Sequence, residues 1–149
     1  MAEERVYGNN VFADDLPAFG DGVRGLRMER TDECPLVCAV WELDAGVTVG
    51  PYHLHHGTDE LLIVLRGTAT VRTPDGEREL PAGGVLQFPR GLPGAHKVMN
   101  RGDQVLRYVM VAYHGTPEVI EYLDEGVTIV GSRTPSWDGE RLFKRFPAE

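Results

Sequence analysis

Eighteen glycines and ten prolines are scattered through this chain of 149 residues, falling between short apolar runs rather than gathering in one linker. Glycine admits backbone angles other residues avoid and proline removes a backbone donor, so each such site ends a regular element. The runs they bound lie at 37–44, 51–56, 60–67, 68–73, 77–81, 84–89, 96–100 and 104–114, and are rich in Val, Leu, Thr and Tyr. They read as strands. Eight strands within fewer than 80 residues leave almost no room for crossover helices. The expected fold is therefore all-β, antiparallel, and closed or folded on itself. Pro74, Asp75 and Gly76 signal a hairpin, and Asn100, Arg101, Gly102 and Asp103 a second turn. Residues 116–126 read as one short helix or an irregular segment. Residues 1–30 and 115–149 read as arms around a barrel core at about 35–114, all within one domain.

Lys and Arg number 15 against 23 Asp and Glu, a formal net charge of −8. An acidic surface repels phosphate backbones and anionic lipid, so nucleic acid and membrane partners are not expected. The start, MAEERVYGNN, lacks an apolar leader core, and no run approaches the roughly 18 apolar residues of a membrane span. A cytoplasmic protein is expected. Cys34 and Cys38, on an extended segment, stand about 13 Å apart, too far for a disulfide, and are expected as buried reduced thiols.

Three histidines and a carboxylate carry the chemical signal. His53 and His55 are separated by one residue, so on a strand both rings leave the same face about 7 Å apart and can converge on one ion, while His56 points the other way. Glu60, Leu62 and Val64 share the face of the next strand, and His96 opens another after a Gly/Pro-rich loop. On these residues the sequence resembles the cupin superfamily. Its first motif, G(x)5HxH(x)3,4E(x)6G, reads here as His53, His55, Glu60 and Gly67, with Gly46 one place early. Its second, G(x)5PxG(x)2H(x)3N, reads as Gly83, Pro89, Gly91, His96 and Asn100, with four residues instead of two before His96. The segment 117–126 is also similar to one found in small bacterial single-domain cupins.

The resemblance implies a double-stranded β-helix, or jelly roll, with His53, His55, Glu60 and His96 as ligands of one divalent transition metal. Such a ligand set suits Fe, Mn, Ni, Co, Cu or Zn without choosing among them. Two open positions on a six-coordinate ion would admit a small-molecule substrate, with Glu60 also a proton acceptor. Dioxygenase-type chemistry comes first among the functions implied, followed by sugar isomerase, epimerase or lyase chemistry, and then by non-catalytic binding of a small molecule. Gly67, Gly83 and Gly91 are expected to serve turn geometry.

Tyr52, Trp41, Gln87, Phe88, Tyr108 and Met110 are the expected pocket residues, since barrel interiors fill with alternating side chains. Alternation along the last strand puts Leu106, Tyr108 and Met110 inside and Arg107 toward solvent or a partner. His56 and His114 are expected at the surface, and Asn100 at a strand end. Arg66, Arg90 and Lys97 are the cations nearest the motifs. No nucleophile triad and no phosphate-cradling glycine loop is present. Val6, Val11, Phe12, Leu142, Phe143 and Phe146 give the arms apolar surface to bury, and a homodimer is expected.

Overall fold

Thirteen strands are present among the described residues, which are 10–28, 34–115, 117–131 and 143–147 of a computed structural model. They are β1 (Ala18–Gly20), β2 (Val23–Met28), β3 (Leu36–Leu43), β4 (His53–His55), β5 (Thr58–Arg66), β6 (Thr68–Thr73), β7 (Gly76–Pro81), β8 (Val85–Phe88), β9 (Lys97–Met99), β10 (Leu106–His114), β11 (Glu118–Tyr122), β12 (Val127–Gly131) and β13 (Phe143–Pro147). All pairings between named strands are antiparallel. One layer has the order β1-β2-β3-β10-β5-β8. The other consists of β13-β12-β11-β4 and β7-β6-β9, joined where His53 and His96 exchange backbone hydrogen bonds of 3.1 and 2.8 Å. The fold is an all-β jelly roll.

Two expectations change. Where a short helix or an irregular segment was expected, Glu118–Tyr122 is a strand that pairs with β12 and β4, because Val119, Ile120 and Tyr122 gain cross-strand neighbours in the sheet. The supposed arms supply β1, β2 and β11 to β13, so the two layers reach well beyond residues 35–114. Val6 and Leu142, together with the side chains of Phe143 and Phe146, lie outside the described residues, while Val11 packs on its own sheet beside Leu16 and Val40. Among the described residues no helix is long and apolar enough to cross a membrane.

Between the layers, Leu43, Leu62, Val64, Ala69, Val71 and Leu106 form a core that fills one end of the barrel. Truncating any of its leucines to alanine is expected to cost about 2–5 kcal/mol. The turns match their residues: Gly76 closes the β6–β7 hairpin, and Gly67 lies at φ +76, where an added Cβ would stand 2.6 Å from the Val105 carbonyl oxygen. The turn after Asn100 carries the chain from one layer to the other and is not a hairpin. Buried Asn100 donates from Nδ2 to the carbonyls of Leu43, Asp44 and Gln104, and its Oδ1 accepts from Gly102 N–H.

Arg107 corrects another expectation. It points away from the core, as alternation requires, yet it is only 7% exposed, because it pairs with Glu42 and donates to the Val11 carbonyl of the N-terminal segment crossing that face. Arg24, Glu42 and Arg107 form one cross-strand row over β2, β3 and β10. Cys34 is exposed and Cys38 half-buried, where both were expected to be buried, and neither forms a disulfide.

Candidate metal centre

The barrel end opposite the packed core holds a cavity of about 350 Å³, with His53, His55, Glu60 and His96 in its wall. Period-2 geometry places them: His53 and His55 leave one face of β4, Glu60 leaves β5 alongside Leu62 and Val64, and His96 leads into β9. One ligand atom each from His53, Glu60 and His96 lies within 4.8 Å of the others. His55 Nε2 is 3.5 Å from Glu60 Oε2, and His96 Nε2 is 3.2 Å from the same oxygen.

Hydrogen bonds on the far side of each ring decide what faces Glu60. His53 Nδ1 lies 2.9 Å from the Pro51 carbonyl and His96 Nδ1 2.9 Å from the Gly94 carbonyl. A carbonyl only accepts, so each Nδ1 carries a proton and Nε2 of the neutral ring keeps its lone pair, which in His96 faces the carboxylate. His55 Nδ1 faces the Glu118 carboxylate at 3.6 Å, too long for a hydrogen bond, and that negative charge favours a proton on Nδ1. Glu60 Oε2 and His55 Nδ1 are buried with no hydrogen-bond partner. Acceptors thus converge with no donor among them, an arrangement that a divalent cation completes. The residues fit a metal.

Burial pulls the His53 imidazole down to about 4, helped by His96 and His55, so it is neutral at pH 7. Burial alone would raise the Glu60 carboxyl, but the histidines in their protonated forms outweigh it, His96 by donating a hydrogen bond and His55 and His53 by their charge, and hold it at about 2. Phe88 stacks on His96 at 3.8 Å with planes 10° apart and fixes that ring's orientation. The two extra residues before His96 form a tight 3-10 turn at Leu92–Gly94 rather than an open loop. Gly91 N–H ties that turn to the His55 carbonyl at 2.7 Å, and the Gly94 carbonyl is the acceptor that orients His96.

The other expected pocket residues divide. Trp41, Tyr108 and Met110 line the cavity. Trp41 lies over Gly25, where an added Cβ would stand 2.4 Å from its ring, and meets the Phe19 edge at 4.8 Å. Burial pushes the Tyr108 phenol upward, so it stays protonated. Tyr52 does not line the cavity: it packs with Leu54 and Ala95 and lies under the Arg72 guanidinium at 3.9 Å. Gln87 is directed to the outer face beside Leu61, and Phe88, the cross-strand partner of Glu60, stacks on His96 without lining the cavity. His56 is exposed and paired with Glu121 at 2.5 Å. Arg90 is held by Asp59 outside the cavity, and neither Arg66 nor Lys97 lines it.

Sequence reasoning missed the second layer. His114 is not at the surface but 7% exposed in the cavity wall, 2.9 Å from the Thr58 hydroxyl, which donates to Glu118. Gly57 N–H also donates to Glu118, at 3.1 Å. Burial would raise the Glu118 carboxyl, yet His114, His55 and that N–H hold it at about 2. Arg27, from β2, completes the wall. A signal for Glu118 existed in the alternating EVIEY, once that segment is read as a strand.

The family model for the cupin domain matches residues 39–112. Among curated proteins, none matches the sequence. Among solved structures, a sugar phosphate isomerase from a cupin superfamily of Silicibacter pomeroyi is similar at 22% identity and a TM-score of 0.71, over 87% of this chain and 82% of that one. The cupin domain of Schizosaccharomyces pombe Cnp3 is similar at 19% identity and a TM-score of 0.60, over 75% and 77%. KdgF from a Halomonas species is similar at 19% identity and a TM-score of 0.56, over 68% and 88%. At these identities the likeness is one of fold.

Proposed function

Because this chain belongs to the cupin superfamily, we propose that it is a metal-dependent enzyme acting on a small organic molecule, with one divalent transition metal per chain held by His53, His55, Glu60 and His96. The observation that carries this reading is the set of imidazole Nε2 atoms facing a buried Glu60 oxygen that has no donor. Fe, Mn, Ni, Co, Cu and Zn all suit such ligands. A bound ion of this kind supplies Lewis acidity to a substrate oxygen and, where it is redox-active, the electrons for dioxygen chemistry.

The chain's residues supply the rest. Trp41, Val49, Met110 and Ile120 give the cavity apolar walls that keep water from the substrate. Glu60 is held ionised, and a proton-accepting role beside its role as ligand is part of this proposal. Dioxygenase-type chemistry is the first reaction class. Sugar isomerase, epimerase or lyase chemistry is the second, favoured by the fold shared with the sugar phosphate isomerase and by a guanidinium, that of Arg27, in the cavity wall.

Elemental analysis of untagged wild type beside His53→Ala and Glu60→Ala tests the reading. About one transition metal per wild-type chain, lost in both variants, is the expected result. Iron, copper or nickel then directs assays to O2 uptake, and zinc, manganese or cobalt to isomerase and lyase panels. A wild type that holds no metal after reconstitution overturns the proposal in favour of a non-catalytic ligand-binding barrel.

The outer face of the six-stranded layer supports a homodimer as the second part of the proposal. Leu36, Val85 and Tyr113 are exposed there, around a groove of about 370 Å³ that also involves Leu61, Gln87 and Val111. A second copy of the chain would cover them.

A further inference from the structure

Among the arginines of the described residues, Arg24, Arg72, Arg90, Arg101 and Arg107 each bind a carboxylate. Arg27 does not. Its guanidinium lines the cavity and lies 3.4 Å from His114 Nε2, and among the described residues no other Lys or Arg lines that wall. An arginine always donates, so His114 Nε2 is the acceptor and Nδ1 carries the proton. That proton goes to Thr58 Oγ1 at 2.9 Å, and the Thr58 hydroxyl donates in turn to Glu118. His114 therefore holds the guanidinium at the cavity wall through one nitrogen atom, and most of the five N–H donors of Arg27 stay uncommitted to an acid.

The register places this cation across the cavity from the candidate metal centre. Arg27, Ala39, Met110 and Leu62 form one cross-strand row, and Val37, Ala112 and Glu60 form the next. Three strand spacings separate the Arg27 and Glu60 strands, roughly 14 Å between backbones. The floor between them carries the small side chains of Ala39 and Ala112. A volume of about 350 Å³ is at the low end for small-molecule sites.

We propose that Arg27 is a binding residue for the anionic end of the substrate, a carboxylate or phosphate, and that His114 is its positioning residue. The substrate class is then a small organic acid or phosphate ester whose other end approaches Glu60. This inference rests on the enzymatic reading above and deepens it, but the anion site can be tested without turnover.

Calorimetric titration of the full-length chain, with metal content measured on each sample, provides the test. The probes are glutarate, glycerol 3-phosphate and neutral glutaramide. One of the two anions is expected to bind at least tenfold tighter than glutaramide, and the stronger one identifies carboxylate or phosphate as the preferred group. Arg27→Gln is expected to remove that preference with metal content and melting temperature unchanged, and Arg27→Lys to restore part of it. His114→Phe is expected to weaken anion binding beside Arg27 but to add nothing in the Arg27→Gln background. Equal binding of anions and glutaramide, or equal anion binding by wild type and Arg27→Gln, overturns the site. Equal weakening by His114→Phe in both backgrounds overturns its positioning role. Loss of the metal reading alone leaves Arg27-dependent anion binding intact, so the two failures are distinguishable.

Discussion

Glu118 Oε2 faces His55 Nδ1 at 3.6 Å, while the other nitrogen of the same ring faces Glu60 at 3.5 Å. The imidazole is thus set between two carboxylates from different layers, and the charge on β11 favours a proton on Nδ1, which leaves Nε2 to offer its lone pair. Glu118→Gln is expected to weaken metal retention about tenfold, since partners behind a ligand commonly contribute that much. Chelator competition against wild type measures it. Glu118→Ala should also cost about 2–3 kcal/mol of stability, because Gly57 N–H and the buried Thr58 hydroxyl lose their acceptor.

Asn100→Ala should destabilise the fold by about 2–4 kcal/mol without touching the centre. Its amide bridges the carbonyls of Leu43 and Asp44 at the β3 end and that of Gln104 in the turn before β10. Asn100→Asp should be worse than alanine, since a carboxylate would face three carbonyl oxygens. Urea denaturation of both variants gives the ordering.

Acid should weaken the outer row of Arg24, Glu42 and Arg107. Burial would raise the Glu42 carboxyl, but hydrogen bonds from Arg24 and Arg107 outweigh it and hold it below 4.5. A folded-state value below the unfolded one means that the contribution to stability is complete above about pH 4.5 and is lost as pH falls through the lower, folded value. Urea midpoints across that range should therefore fall less steeply for Glu42→Gln than for wild type. Parallel slopes would sink the assignment.

Tyr113→Asp combined with Leu36→Asp should convert the proposed dimer to monomer. Both side chains are exposed on the outer face, 48% and 53%, so the substitutions leave the barrel interior alone. Sedimentation velocity at micromolar concentration reads the result, and a wild type that already sediments as a monomer refutes the dimer.

The strands of the barrel centre and the facing of His53, His55 and Glu60 were legible because period-2 patterning and motif spacing are local properties of the chain. Residues 116–126 were not, because their strand character comes from pairing with β4 and β12, which no local pattern reports. Arg107 and His114 misled for a related reason. Polar side chains near a strand end read as exposed until the elements that cover them, the N-terminal segment and β11, are in place. Arg27 was missed because its strand lies in what read as an arm, and only the register across β3 and β10 carries it to the cavity.

The floor of Ala39 and Ala112 separates two properties that many sites entangle. Reactivity resides in the ligands at one wall, whereas the reach available to a substrate depends on how little these two side chains protrude. Replacing Ala39 or Ala112 by valine or leucine would shorten the accommodated molecule while leaving all four candidate ligands in place. Chain-length preference in this barrel can therefore drift through methyl-sized changes, independently of the chemistry performed.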